Sequence, residues 1–259
     1  MHLSVVAAIF CGLTTVQPVS GQPQGTDLQS PASVLELPSS PEFFRAVSKE
    51  AKPRWRQLYR ATPKLPHRER GHSAFVLGVL LCEALIAAEA RDAQYVRNST
   101  QDIRDCLTLL GLAEALEQRL PAIHEFAERQ NWSSLRFELE ALEIDCQRLL
   151  AKQLDSALSP LIALGRHVRC LDVCAAIGLE SGRPIGIADP DYYAALGQLL
   201  GALPASGDRP AFVEQLLELL EGLQQGWSEV VAEETRAEQL AVTAEAVGHF
   251  LDRIMEPAQ

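Results

Sequence analysis

The chain has 259 residues, of which 47% are hydrophobic and 22% charged, and its net charge is −11. That balance excludes wholesale disorder and leaves ample length for a buried core, while the negative charge excludes a general nucleic-acid binder, because phosphates would repel it. Aromatics are only 6%, whereas Leu, Ala, Glu, Gln and Arg recur throughout, and these are residues that lose little rotamer freedom in a helix.

Residues 3–16 form an uncharged apolar run, followed by Pro18 and the small residues Ser20 and Gly21. Residues 1–21 therefore read as a signal peptide cleaved after Gly21, which exports the protein to a periplasmic or extracellular destination. The pair Met1-His2 departs from that pattern in offering no Lys or Arg. Cleavage removes Cys11 and leaves Cys82, Cys106, Cys146, Cys170 and Cys174. An odd set this widely spaced is no small disulfide framework; it reads as core thiols, with one or two bridges open to it in an oxidising compartment.

Residues 22–39, rich in Pro, Ser and Gln, read as a linker ahead of one helical domain over 40–259. Ser40-Pro41-Glu42 has the order of an N-cap, a first-position proline and a first-turn acid, and predicts a helix running towards Tyr59 that Pro63 and Pro66 terminate. Between Arg45 and Arg70 stand nine Lys or Arg against Glu50 and Glu69. This basic segment either docks on the chain's own acidic helices or forms a contact patch for a partner protein or an anionic surface. Arg54, Trp55, Arg56, Tyr59 and Arg60, which interleave aromatic and basic side chains at helical spacing, are its candidate contacts.

Residues 74–88 are apolar except for Gly78 and Glu83, so this helix belongs at the centre of a bundle. Its fifteen residues fall short of a bilayer, and no membrane span is expected in the mature chain. Helices are predicted over 93–110 and 112–130, with Pro121 a kink or break. Trp132, Leu135, Leu139, Leu142, Cys146 and Leu149 then form a heptad-like seam, and Leu161, Leu164, Val168, Leu171 and Ala175 repeat it. A loop over 178–189 leads to a short helix that starts at Asp189-Pro190. After a turn over 204–208 come two last stripes, Phe212 to Trp227 and Leu240 to Ile254. No segment alternates as a strand does. The reading is all-α: a single bundle of about seven to nine helices. Leu77-Gly78 and Leu164-Gly165 lie 87 residues apart, and Leu110-Gly111 and Leu196-Gly197 lie 86 apart, a spacing that suggests two related helical halves.

Chemistry-bearing motifs are few. His124-Glu125 begins a zinc-protease helix motif, but Glu128 stands where the second histidine is needed. Gly71-His72-Ser73 begins a nucleophile elbow, but Phe75 replaces its second glycine. His167, Cys170 and Cys174, spaced by three and four, line one helix stripe as weak metal-ligand candidates; the plainer reading is core thiols beside a surface histidine. Glu83 and Asp172 are carboxylates in apolar surroundings, to be paired with an arginine such as Arg91, Arg97 or Arg169 or to serve a site. Asn98-Ser99-Thr100 and Asn131-Trp132-Ser133 fit the glycosylation pattern. With no cofactor motif and no catalytic signature, the sequence points to a non-enzymatic binding module. The alternatives are a small-ligand or metal-binding bundle, or an enzyme of unfamiliar type.

Overall fold

The computed structural model describes residues 40–60, 69–153, 157–203, 210–230 and 232–256. The expected leader and linker, and the turn over 204–208, lie outside them. Among the described residues there are nine α-helices and no strand. They are α1 (Ser40–Ala51), α2 (Arg70–Glu89), α3 (Ala93–Leu109), α4 (Arg119–Glu128), α5 (Trp132–Lys152), α6 (Leu158–Ser181), α7 (Pro190–Gly201), α8 (Phe212–Glu229) and α9 (Glu233–Met255), with a 3-10 turn at Trp55–Leu58.

Two boundaries differ from the sequence reading. The first helix stops at Ala51, where Lys52 takes φ 46°; Pro53 follows, has no N–H to continue the ladder, and disfavours helical geometry at the residue before it. Residues 113–118 are turns, with Leu116 N bonded to Ala113 O and Glu117 N to Glu114 O, so the helix expected from 112 begins only at Arg119. Pro121 consequently lies in the first turn of α4, where a missing N–H costs nothing, and makes no kink.

Every residue of α2 from Gly71 to Ala88 is buried, and α6 is buried around most of its circumference. These two helices run side by side in the same direction through the centre. A Cβ on Gly71 would meet Leu161, one on Gly165 would meet the Phe75 carbonyl, and Cys82 lies against Cys170 further along. Their backbones touch. A Cβ on Gly78 would stand 2.0 Å from Ile162 O, and one on Gly165 would stand 1.9 Å from Phe75 O.

These contacts are reciprocal under the 87-residue shift that relates Gly78 to Gly165. Phe75 corresponds to Ile162, so Gly78 against Ile162 and Gly165 against Phe75 are one contact made twice. Likewise Cys82 corresponds to Arg169 and Glu83 to Cys170. The pairs Cys82 with Cys170 and Glu83 with Arg169 are therefore again two copies of one contact. Such exchange is the mark of a two-fold relation. It extends to whole helices: α2, α3, α4 and α5 pack in a ring, as do α6, α7, α8 and α9, while α5 also touches α6 and α9 touches α2. The second Leu-Gly pair does not correspond, because Gly111 lies beyond α3 at φ 73° whereas Gly197 lies inside α7.

α1 lies across this double bundle against α2, α5 and α6, with Phe43, Phe44 and Val47 buried beneath it. Each such side chain contributes roughly 1.5–3 kcal/mol of burial, enough to hold a three-turn helix that has little intrinsic stability of its own.

Candidate functional site

The densest polar cluster surrounds Arg169, whose side chain is 1% exposed. It donates from Nε to Glu83 Oε1 (2.6 Å), from Nη1 to Asp172 Oδ2 (2.5 Å) and from Nη2 to the Leu58 carbonyl. Arg60 then reaches the same aspartate, Nε to Asp172 Oδ2 at 2.8 Å, and extends Nη1 to Asp252 Oδ1 at 2.6 Å. Tyr95 Oη lies 2.8 Å from the Arg60 carbonyl and 3.3 Å from Glu83 Oε2. Burial alone would lower the Arg169 guanidinium, but Glu83 and Asp172 outweigh it and hold it above its ordinary value. For Tyr95, burial and then the Glu83 charge push the phenol up, so it stays a proton donor. Three carboxylates (Glu83, Asp172 and Asp252) meet two guanidiniums, and each of the three is paired with an arginine. The cluster clasps the segment after α1 to α2, α3, α6 and α9; it leaves no free base for catalysis.

The basic segment divides accordingly. Arg60 belongs to the clasp. Trp55 packs edge-on against Phe44, ring centroids 5.5 Å apart, and Tyr59 stacks on Tyr95 at 3.7 Å. Arg54 pairs with Glu180 and Arg56 with Asp92, yet their side chains remain 66% and 68% exposed. On the outer side of α1, Arg45 and Lys49 lie one turn apart and Lys52 stands just beyond, all exposed; none meets an acid among the described residues. Of the five candidate contacts, the structure thus turns Trp55, Tyr59 and Arg60 inwards and leaves Arg54 and Arg56 facing water. Lys64 and Arg68 lie outside the described residues.

His167 is buried rather than on a helix surface, because α6 is covered on nearly every side. Its Nε2 lies 3.0 Å from Arg166 Nη2 and its Nδ1 lies 2.8 Å from Tyr192 Oη. A guanidinium only donates, so Nε2 must accept and Nδ1 carries the proton that goes to Tyr192. Burial, reinforced by the Arg166 charge, holds His167 well below its ordinary value and keeps it neutral. Arg166 Nε also faces Glu143 Oε1 at 2.9 Å. Burial raises Glu143 against the pull of that arginine. Both nitrogens of His167 are therefore engaged. Cys170 faces Cys82, while Cys174 lies deep beneath Gly186. Among the described residues no group of three His, Cys, Asp or Glu is placed to hold a metal ion, so the stripe His167, Cys170, Cys174 does not converge.

The remaining motifs resolve simply. His124 is half-buried on α4, and Glu125 pairs with Arg129 at 2.8 Å. Ser73 sits in the first turn of α2 and donates to the Glu69 carbonyl, with no strand or elbow. Asn98 lies within α3, and Asn131 caps α5 by accepting from Ser134 N. A groove of about 330 Å³ between α3 and the turns before α4 is lined by Arg104, Thr108, Glu114 and Glu117 among others, and the Thr108 hydroxyl there donates to the Arg104 carbonyl. Glu83 did pair with Arg169, one of the three arginines singled out for it. Arg91 instead ends α2 at φ 52°, and Arg97 faces Glu128 and Gln94. Arg166, Glu143 and Tyr192 were missed, although the signal that flagged Glu83, a polar residue inside an apolar helix, applies equally to Arg166. No known protein family, no curated protein and no solved structure shows significant similarity to this chain.

Proposed function

We propose that the protein is an exported, non-enzymatic binding module whose α1 side recognises an acidic protein surface. The observation that carries this reading is the row Arg45, Lys49 and Lys52, continued by the exposed Arg54 and Arg56, on a chain whose net charge is −11. Arg45, Lys49 and Lys52 meet no acid among the described residues, and on so acidic a chain they form a local patch of opposite sign that steers an anionic partner. Residues 42–56 carry five cations to the two acids Glu42 and Glu50; Glu180 and Asp92 offset Arg54 and Arg56, so Arg45, Lys49 and Lys52 supply the excess. A protein surface fits better than a bilayer, because the apolar residues of α1 are spent on the core: Phe43, Phe44 and Val47 point inwards and none is left to enter a membrane. Export rests on the apolar run of residues 3–16 and the small residues that follow.

The test uses a glutamate-rich peptide and phosphatidylserine vesicles as probes. Wild type should bind the peptide, more weakly at higher salt. The variant Arg45→Glu, Lys49→Glu, Lys52→Glu should lose that binding with an unchanged melting temperature. Equal peptide binding by both proteins, or binding to vesicles alone, would overturn the reading. Arg60 is kept out of this reversal because it belongs to the clasp. For export, N-terminal sequencing of the native protein should begin at Gln22; an intact Met1 would refute it.

A further inference from the structure

We infer that Cys82 and Cys170 close into a disulfide that joins the two halves covalently when the chain folds in the presence of a disulfide oxidant. Their sulfurs lie 3.7 Å apart, and the two residues are 0% and 1% exposed. A disulfide bond is about 2 Å long, so the sulfurs must approach by less than the width of an atom. Rotation about the two Cα–Cβ bonds moves the sulfurs along such a path. The helices could scarcely separate in any case, because Gly78 and Gly165 hold the backbones in contact one turn away.

The position in the pseudo-two-fold frame adds a second argument. The contact made twice by the 87-residue shift is an ion pair in one copy, Glu83 with Arg169, and a thiol pair in the other, Cys82 with Cys170. Each copy thus carries a specific link between α2 and α6, one ionic and one oxidisable. The other three described cysteines have no such relation. Cys106 and Cys146 lie on α3 and α5, and Cys174 lies one turn along the same helix as Cys170.

The chemistry is two successive thiol–disulfide exchanges. One cysteine thiolate attacks a sulfur of the oxidant, forms a mixed disulfide and expels one thiolate of the oxidant. The second cysteine thiolate then attacks the protein sulfur of that mixed disulfide, forming the Cys82–Cys170 bond and expelling the other half. The two cysteines are oxidised, the oxidant's disulfide is reduced to two thiols, and the two protons lost by the protein go to those thiols. No small molecule reaches these sulfurs once the core has closed, so the bond forms while α2 and α6 are still assembling. The inference holds whether or not α1 binds an acidic partner.

The full chain would be refolded from denaturant either in glutathione redox buffer or with reductant alone, then denatured and alkylated for intact-mass and peptide analysis. Oxidative refolding should leave two fewer alkylated thiols, with the Cys82 peptide joined to the Cys170 peptide. The oxidised form should melt about 9–18 °C above the reduced form, as expected for a bond closing a loop of this length. Cys170→Ala and Cys82→Ala should each abolish both the linkage and the difference in melting. Folded, reduced protein placed in glutathione disulfide should keep its thiols. Complete alkylation after oxidative refolding to a folded product, or a bridge to Cys174 instead, would overturn the inference.

Discussion

Arg169→Met is the sharpest probe of the clasp. It leaves Glu83, whose side chain is 4% exposed, with only the Tyr95 hydroxyl as a partner, and it also frees the Leu58 carbonyl. Asp172 keeps Arg60. Removing one member of a buried pair costs about 3–5 kcal/mol, because the survivor is a charge without compensation. At about 2–4 °C per kcal/mol for a chain of this size, the melting temperature should fall by roughly 6–20 °C. Glu83→Leu should cost less, because Arg169 retains Asp172 and the Leu58 carbonyl. The double variant should be more stable than the sum of the singles predicts, by about 2 kcal/mol or more, since neither charge is then stranded. Chemical denaturation of all four proteins reads the coupling. Single variants within about 1 kcal/mol of wild type, or strictly additive effects, would refute the assignment of this pair as a buried, mutually dependent contact.

Leu81 is 1% exposed, so Leu81→Asp buries a lone carboxylate and should leave no folded domain by circular dichroism; a soluble variant with the wild-type melting temperature would contradict the central position of α2. Gly78→Ala drives a Cβ into the Ile162 carbonyl, where backbone cannot yield, and should cost about 2 kcal/mol or more. By contrast Gly222→Ala, in an exposed helix interior with nothing near, should stabilise by about 0.5–1 kcal/mol. The third expectation concerns acid. His167 is held below its ordinary value, so as pH falls through about 6.5 the unfolded chain takes up a proton that the folded chain refuses, and stability drops. Glu143, held above its ordinary value, acts in the opposite sense, with stability lost as pH rises through its folded value. Urea unfolding at pH 7.0 and 5.5 should therefore show a loss for wild type that His167→Gln reduces; equal losses in the two proteins would exclude His167 as the source.

Much of the helical fold is legible because burial follows apolar periodicity. The seams through Leu135, Leu139, Leu142 and Cys146, and through Leu161, Leu164, Val168 and Leu171, are buried as expected. Local chemistry that competes with propensity is harder to read. Residues 113–118 consist of good helix formers, yet Gly111 turns the chain at positive φ, and of the bonds donated by residues 113–119 only Leu116 N to Leu112 O spans four residues, the others three. At the other extreme, Pro53 was an explicit stop signal within the first helical pattern. The polar core was half legible. A carboxylate in an apolar helix demands a cation, which identifies Glu83 and brings Arg169 among its candidates. Which cation answers depends on how α2 and α6 cross, a fact of tertiary geometry. Arg60 shows the same limit from the other side: in sequence it is one of nine basic residues, and only the fold separates it from Arg54 and Arg56, which stay in water.

The clasp also bears on why polar groups occupy this core at all. Two parallel helices with continuous apolar faces can slide past one another by a turn at little cost, since Leu replaces Leu in each groove. Here sliding is opposed twice. Gly78 and Gly165 favour backbone contact at one register, because a one-turn shift of α6 brings a side-chain-bearing residue such as Ile162 or Val168 to the Phe75 carbonyl, where Gly165 now sits. The Glu83–Arg169 pair adds a penalty for other registers, in which Glu83 would be buried without its guanidinium. Replacing the pair by apolar residues of similar volume would not weaken burial, so burial alone does not account for it. Specificity of register does. The clasp extends outwards from the same pair: Arg169 also holds Asp172, and Asp172 on α6 together with Asp252 on α9 takes the Arg60 guanidinium from the segment following α1. That segment, and with it the orientation of the exposed basic side of α1, is then set by the register of the two central helices.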